Sequence, residues 1–180
     1  ENLFIYISYT SFREGCFEDR TSGPRNVISR FRMDPDTLLI NLNSEQVLVT
    51  GAPCLKVYHN GGALAFGNDG LLYATTGDGG GDQFHASQNR TNLHGSILRL
   101  HDDGTVPDDN PFTQQFGHNG VRCGLSGGSV PSGSASDAVC SEIYSFGLRN
   151  PFRMAVDPNI KDKVKLYVGD VGGSQWEEIN

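Results

Sequence analysis

Two stretches of the chain repeat one pattern: LLYATTGDGG at residues 71–80 and KLYVGDVGG at residues 165–173. Each follows a short run of small apolar residues and a polar turn, at 63–70 and 154–163. Both therefore predict a pair of strands that ends in Gly-Asp and a glycine-rich loop. Repetition of short strands in a fixed pattern is typical of a β-propeller, in which each repeat forms one blade.

The interval between the two Gly-Asp pairs, at Asp78 and Asp170, is about twice the length of a compact blade of roughly 45 residues. Either two blades fill this interval or one blade carries an insertion. We favour the insertion, because residues 124–136 are rich in Gly and Ser, lack periodicity and are flanked by Cys123 and Cys140. A disulfide between these two cysteines would close the inserted loop.

Short runs of β-type residues bounded by Gly, Pro, Asn or Asp recur along the chain, and no helical apolar face persists, so we predict an all-β fold. Strands are predicted at 3–9, 26–33, 38–42, 46–50, 62–66, 71–76, 96–100, 143–147, 152–156 and 165–169. Both chain ends lie in strand-like sequence, and cutting a strand leaves backbone groups unpaired. Residues 1–180 are therefore predicted to be a fragment of a single propeller domain, with a disulfide-closed insertion at 123–140.

Composition excludes several classes of protein. The chain has 14 Lys and Arg against 21 Asp and Glu, a net charge of −7 and a pI near 5.1. This charge, with no basic stripe, argues against a nucleic acid or an anionic membrane as partner. Hydrophobic residues make up 37% of the chain, which is enough for a core and excludes wholesale disorder. No apolar run approaches the roughly 20 residues of a membrane-spanning helix.

The four cysteines, Cys16, Cys54, Cys123 and Cys140, are too far apart for a zinc knuckle. A disulfide indicates an oxidising compartment, and the sequon at residues 89–91 points the same way. Four reduced thiols in a cytosolic protein are the alternative. We predict a secreted or extracellular protein, or a periplasmic one if the source is bacterial.

Two residues at the ends of neighbouring predicted strands could form a catalytic pair. His59 opens the segment HNGG, and Asp78 follows the next strand. Antiparallel pairing would bring them together, and a carboxylate can fix the tautomer of a histidine and raise its basicity. A structural histidine is the alternative. The loop at 77–83 is either a plain tight turn or a place where a flat ligand can approach the backbone.

The sequence gives weaker evidence that other polar residues belong to a site. Arg149 follows a predicted strand and would place a cation at the same face of the sheets, unless it is simply solvated. The carboxylates at 177–178 could bind calcium or face water. The remaining histidines have no metal-ligand spacing and are predicted to be structural: His85, His94, His101 and His118.

Six segments, taken in order, resemble the glucose/sorbosone dehydrogenase family. This family comprises soluble sugar dehydrogenases that depend on pyrroloquinoline quinone (PQQ), and the hedgehog-interacting-protein-like proteins share its propeller. The matching segments are HNGG at 59–62, GDGG at 77–80, GSILR at 95–99, DNPF at 109–112, IYSFGLRNPFR at 143–153 and GDVG at 169–172. The resemblance implies a six-bladed propeller, of which this chain supplies about two to three blades.

The resemblance also implies a function for individual residues. His59 matches the family's catalytic base and Asp78 the carboxylate that orients it, while Gln83 matches a glutamine of the sugar pocket. Arg149 matches the arginine that polarises the quinone, with Asn150 beside it at the cofactor. Matches to calcium-binding positions are Gly172 and Gly173, through their carbonyls, and Glu178 at a second calcium site. Tyr58 stands where the bacterial glucose enzymes have an acidic sugar contact.

The implied activity is a quinoprotein sugar dehydrogenase that uses PQQ and Ca²⁺. It would oxidise the anomeric hydroxyl of an aldose to a lactone by hydride transfer to the quinone, and pass electrons to an acceptor. Because further cofactor contacts of the family lie beyond Asn180, residues 1–180 alone are expected to be inactive. The alternative is a non-catalytic, hedgehog-interacting-like propeller that is secreted and binds a protein partner.

Overall fold

The computed structural model describes residues 3–11, 25–53, 58–80, 85–173 and 176–179. Within these ranges the prediction of an all-β fold is confirmed. The strands are β1 (Phe4–Ser11), β2 (Arg25–Met33), β3 (Ile40–Pro53), β4 (Leu64–Phe66), β5 (Leu72–Thr76), β6 (Ser96–Leu100), β7 (Gly120–Val121), β8 (Val139–Cys140), β9 (Ile143–Phe146), β10 (Pro151–Val156), β11 (Leu166–Asp170) and β12 (Glu178–Ile179). Short 3-10 helices form at Ala86–Gln88 and Gln114–Phe116, and no helix in the described ranges is long and apolar enough to cross a bilayer.

The strands form three antiparallel sheets, which follow one another along the chain. The first sheet has the order β1-β2-β3, the second β4-β5-β6-β9 and the third β10-β11-β12. A separate parallel pair, β7-β8, lies in the segment between β6 and β9. The interval between the two Gly-Asp pairs therefore contains the last two strands of the second sheet, an insertion between them and the first two strands of the third sheet.

Alternation along β5 explains how the sheets pack face to face. All five residues of β5 are buried, and successive side chains of a strand point to opposite faces. Leu72 and Ala74 enter a core shared with the first sheet, whereas Tyr73 packs with Val168 of the third sheet. The first core also contains the buried apolar residues Ile28, Leu48, Val49, Leu93, Leu98, Leu100, Cys123, Cys140 and Ile143. The second sheet is thus covered on both faces, as a propeller blade is by its neighbours.

The insertion is fastened to this core by a disulfide and a buried carboxylate. Cys123 and Cys140 form the disulfide, as predicted, and both are fully buried. The buried Glu142 accepts hydrogen bonds from the N–H groups of Cys123 at 3.1 Å and Gly124 at 2.6 Å. Arg122 pairs with Glu142 at 2.8 Å, which compensates the cost of burying its charge.

One prediction about the strands is wrong: residues 38–42 and 46–50 do not form two strands. Residues 40–50 belong to the single strand β3, and residues 38–39 precede it. The pairing of β3 with β2 shifts register between Arg30 and Arg32. At this bulge the hydroxyl of Ser44 accepts the N–H of Arg32 at 2.8 Å and donates to the carbonyl of Asn41 at 2.6 Å. The polar residues that suggested a turn therefore replace ladder hydrogen bonds instead of ending the strand.

Candidate active site

His59 precedes β4 of the second sheet and has a backbone conformation that few non-glycine residues adopt. Its φ is +60°, and Gly61 and Gly62 follow with φ of +66° and +102°. The carbonyl oxygen of His59 accepts the N–H of Gly79 at 3.0 Å. A Cβ at Gly77 would overlap that carbonyl, so glycine at this position allows the two segments to cross. The loop that follows β5 therefore holds His59 in place.

The imidazole of His59 and the carboxylate of Asp78 form a close pair. Nδ1 of His59 lies 2.7 Å from Oδ1 of Asp78, and the two side chains are 13% and 3% exposed. The same carboxylate oxygen accepts the N–H of Gly80 at 2.7 Å. An ionised carboxylate only accepts hydrogen bonds, so Nδ1 carries the proton and Nε2 of the neutral ring has the free lone pair. The pair is arranged as a general base.

A second aspartate fixes the segment that carries the candidate cation. The carboxylate of Asp170, at the end of β11, accepts the N–H of Arg149 at 2.9 Å and that of Asn150 at 2.6 Å. The guanidinium of Arg149 then donates to the carbonyl oxygens of Val171 and Gly172, each at 2.7 Å. The arginine is thus held at its backbone and at its side chain.

Two hydrogen bonds connect the segments that carry the histidine and the arginine. The N–H of Asp78 donates to the carbonyl of Arg149 at 2.8 Å. The side-chain oxygen of Asn150 accepts the N–H of Gly61 at 3.1 Å, two residues after His59. These contacts join the second sheet to the third at the edge where both Gly-Asp loops emerge.

Two clefts meet at Arg149. The first, which we call the His59 cleft, has a volume of about 460 Å³ and is lined by Tyr58, His59, Asp78, Gly80, His85, Ser87, Gln88, Gly147 and Arg149. The second, which we call the Gly172 cleft, has about 440 Å³ and is lined by Gly147, Arg149, Asp170, Val171, Gly172, Gly173, Trp176 and Glu178. The candidate base therefore lies in one cleft, and the candidate cation lies between the two.

The predicted site residues fall into three groups. His59, Asp78 and Arg149 come together in the His59 cleft. Gly172, Gly173 and Glu178 come together in the Gly172 cleft, where Glu178 pairs in register with Asp170. Asn150 lies beside Arg149, but its side chain bonds to the loop after His59. Gln83 lies outside the described residues.

Sequence reasoning missed two features of this site. Asp170 was not predicted to be a site residue, although the repeated Gly-Asp pattern indicates that a second carboxylate ends a strand at this edge. His85 was predicted to be structural, yet it lines the His59 cleft together with Gln88. No spacing relative to His59 could have revealed this, because the 3-10 helix at 86–88 reaches the cleft through tertiary packing.

The described residues include a guanidinium that fits an acidic quinone. They offer fewer oxygen ligands than a bound cation such as Ca²⁺ would use. The Arg149 guanidinium between the clefts is the group that would bind carboxylates or a quinone oxygen. The carbonyls of Val171 and Gly172 already accept a cationic N–H, and carbonyl oxygens are ligands that Ca²⁺ uses. A Cβ at Gly173 would meet no atom of the described residues within 4 Å. No group of three or more His, Cys, Asp or Glu side chains in the described ranges could hold a metal.

Tyr58 closes one side of the His59 cleft. Its ring meets the imidazole of His59 edge to face, with centroids 4.9 Å apart, and half of its surface remains exposed. An aromatic ring next to a base offers an apolar face with a polar hydroxyl at its tip.

Known proteins match this chain over most of its length. The family model for glucose/sorbosone dehydrogenase matches residues 1–121. The HIPL2 protein of Arabidopsis thaliana is 34% identical over 154 residues, which cover 81% of this chain and 20% of that protein. Quinoprotein glucose dehydrogenase B of Acinetobacter calcoaceticus is 31% identical over 196 residues, which cover 99% of this chain and 34% of that protein.

A solved structure agrees with these sequence matches. The PQQ-bound aldose sugar dehydrogenase of Streptomyces coelicolor superposes with a TM-score of 0.66 at 29% identity, covering 98% of this chain and 40% of that one. The chain therefore spans between a fifth and two fifths of the length of these proteins. From the family match over residues 1–121 and the shared propeller architecture, the chain belongs to the glucose/sorbosone dehydrogenase family.

Proposed function

We propose that the full-length protein is a PQQ-dependent oxidoreductase that oxidises the anomeric hydroxyl of an aldose to the lactone. The observation that carries this proposal is the His59–Asp78 pair at 2.7 Å, in the same cleft as the Arg149 guanidinium. A base and a cation that line one cleft suit a reaction in which a hydroxyl loses its proton while electrons leave the neighbouring carbon. When bound, PQQ supplies the two-electron acceptor for this oxidation.

In this proposal Nε2 of His59 accepts the proton of the anomeric hydroxyl. Asp78 keeps Nδ1 protonated, orients the ring and stabilises the imidazolium that forms. Because the Asp78 side chain is 3% exposed, its charge acts on the imidazole with little screening by water. Gln83 is proposed to line the sugar pocket.

The cofactor is proposed to lie at the junction of the two clefts. Arg149 supplies the cation that faces the acidic quinone, with Asn150 beside it, and Asp170 keeps their backbone in position. The carbonyls of Gly172 and Gly173 are the proposed ligands of the calcium at the cofactor, and the carboxylate of Glu178 is a proposed ligand of a second calcium. Oxygen ligands of this kind match the preference of Ca²⁺. An electron acceptor outside the protein would then reoxidise the cofactor.

Reconstitution of the full-length protein tests this function. We would titrate it with PQQ and Ca²⁺ and follow dye reduction with a panel of aldoses, using a chelator as control. His59→Ala and Arg149→Ala should each lower turnover about 10²-fold or more. His101→Ala is a matched control, since His101 is an exposed histidine outside both clefts. Undiminished rates in the first two variants would end the assignment.

A secreted, non-catalytic propeller that binds a protein partner is the second candidate. It is favoured by the similarity to the plant HIPL2 protein and by exposed apolar side chains, Leu38 and Leu39 in the β2–β3 connection and Leu42 near the start of β3. Under this hypothesis the reconstituted protein neither binds PQQ nor reduces dye. Export is supported in both cases by the buried disulfide and by the exposed Asn89 of the sequon.

A further inference from the structure

A second histidine of the His59 cleft shares the unusual backbone conformation of His59. In the described ranges, non-glycine residues with positive φ are Leu38 at 58°, His59 at 60° and His85 at 51°. Holding a non-glycine residue in this region strains the backbone, and such residues cluster at functional sites. Both histidines among these residues line one cleft.

The imidazole of His85 is available to a ligand. The residue is exposed and lines the cleft, and its ring makes no hydrogen bond or ion pair with any residue in the ranges that the structure describes. His59 differs in this respect, because Asp78 binds its Nδ1. A neutral imidazole offers one donor and one acceptor, the combination that a sugar hydroxyl matches.

The backbone of His85 is anchored to the segment that carries Arg149. Its carbonyl accepts the N–H of Gln88 at 3.0 Å, which closes the 3-10 turn. Ser87 of this turn is buried against Gly95, where a Cβ would overlap it, and Gly95 in turn accepts the N–H of Leu148 at 2.9 Å. The backbone of His85 therefore holds a fixed place on the cleft wall, which limits the positions that its imidazole can reach.

We propose that His85 is a substrate-binding residue that contacts a ring hydroxyl of the sugar other than the anomeric one. This inference rests on the proposed function, which places the anomeric hydroxyl at Nε2 of His59. The imidazole of His85, on another part of the same wall, then contacts a second hydroxyl of the sugar ring. His85 thereby helps to decide which aldoses bind, whereas His59 and Asp78 carry the proton transfer.

Two substitutions separate the effect of the imidazole from that of the backbone conformation. His85→Gly keeps the left-handed conformation and removes the side chain, and His85→Asn keeps a donor and an acceptor in a residue that tolerates positive φ. In the full-length protein loaded with PQQ and Ca²⁺, we expect H85G to raise the KM of the preferred aldose about tenfold, as for one lost hydrogen bond. H85N should recover part of the loss, and the rise in KM should exceed any fall in kcat. The exposed histidine variant His101→Asn should match the wild type.

A series of monodeoxy aldoses identifies the sugar hydroxyl that His85 contacts. For one member of the series, the wild type should lose about tenfold in kcat/KM and H85G should lose almost nothing more, because the interaction is already absent. If the KM and the deoxysugar profile of H85G equal those of the wild type, the proposal for His85 is overturned while the dehydrogenase assignment stands.

A binding measurement decides the case in which no aldose is turned over. With ¹³C-labelled histidine, the imidazole resonances of His85 and His59 can be assigned by their loss in H85N and in His59→Asn. A shift of the His85 resonance on titration with an aldose would support the contact although the proposed oxidation had failed. An unchanged His85 resonance at saturating sugar would overturn it, as would the absence of binding by every aldose.

Discussion

The backbone N–H of Asp78 donates a hydrogen bond to the carbonyl oxygen of Arg149 at 2.8 Å. Asp78 follows β5 of the second sheet, and Arg149 precedes β10 of the third, so this bond crosses from one sheet to the next. It fixes the spacing between the candidate base and the candidate cation without using either side chain. The positions of the two groups therefore depend on the packing of adjacent sheets, which leaves little reorganisation for catalysis to require.

Replacement of Asp78 by Asn tests the orientation of His59. The shape of the side chain is conserved, but its amide can donate to Nδ1 and so favours the tautomer in which Nε2 is protonated and cannot act as a base. We expect kcat/KM of the reconstituted full-length protein to fall about 10²-fold or more, with an unchanged fold by circular dichroism. Asp36→Asn, at an exposed carboxylate in the β2–β3 turn, controls for the lost charge. A D78N enzyme within threefold of the wild type would contradict a base oriented by Asp78.

Replacement of Asp170 by Asn tests whether this carboxylate positions Arg149 and Asn150. Asn has one acceptor oxygen for the two N–H groups that Asp170 now binds, and an unsatisfied buried N–H costs about 1–3 kcal/mol. We expect the PQQ concentration at half-reconstitution to rise about tenfold, whereas the KM for sugar changes less. Direct titration of the apoprotein with PQQ measures the effect, and Arg149→Lys should weaken binding similarly. If D170N bound PQQ as the wild type does, the anchor would have no influence on the cofactor.

The sheets could be predicted from sequence because their signals are local. The predicted strands at 71–76 and 96–100 lie within a residue of β5 and β6, since each is a short run of β-type residues bounded by glycine or a polar turn. The bulge in β3 could not be predicted, because the hydroxyl of Ser44 replaces ladder bonds only when β2 is beside it.

The candidate site could be predicted only where a repeat or a family motif marked it. His59, Asp78 and Arg149 lie in such motifs, and they line one cleft. His85 carries no motif, and its place on the cleft wall depends on the contact of Ser87 with Gly95 across the fold. A left-handed backbone at a histidine is a consequence of such tertiary contacts and leaves no pattern in the sequence.

The disulfide between Cys123 and Cys140 should contribute measurably to stability. The two residues are 17 positions apart, and a cross-link over such a loop stabilises by about 3 kcal/mol in the chain-entropy model. Because both cysteines belong to the core shared by the first and second sheets, we expect Cys123→Ala/Cys140→Ala to lower Tm by several degrees. Reductant should also lower the Tm of the wild type, and it should have a smaller effect on the double variant. Equal Tm values for the two proteins would show that packing alone holds the insertion.

A surface ion pair predicts how stability responds to acid. Hydrogen bonds from the Arg99 guanidinium, at 2.7 and 3.2 Å, hold the pKa of the Asp109 carboxyl below its ordinary value. A pKa that is lower in the folded state gives stability that is present above the unfolded value of about 4 and is lost as pH falls through the folded value. The Asp109 side chain is 59% exposed, so the contribution should not exceed about 1 kcal/mol.

Urea unfolding of wild type and Asp109→Asn at several pH values measures this contribution. At pH 7 the variant should be slightly less stable, and the difference should shrink as pH falls below about 4, where the wild-type carboxylate takes up its proton. The neighbouring exposed Asp108→Asn controls for the change in net charge. A difference that stayed constant down to pH 2 would mean that Asp109 acts through packing or loop conformation, because a charge-based contribution must vanish once the carboxyl is protonated in both states.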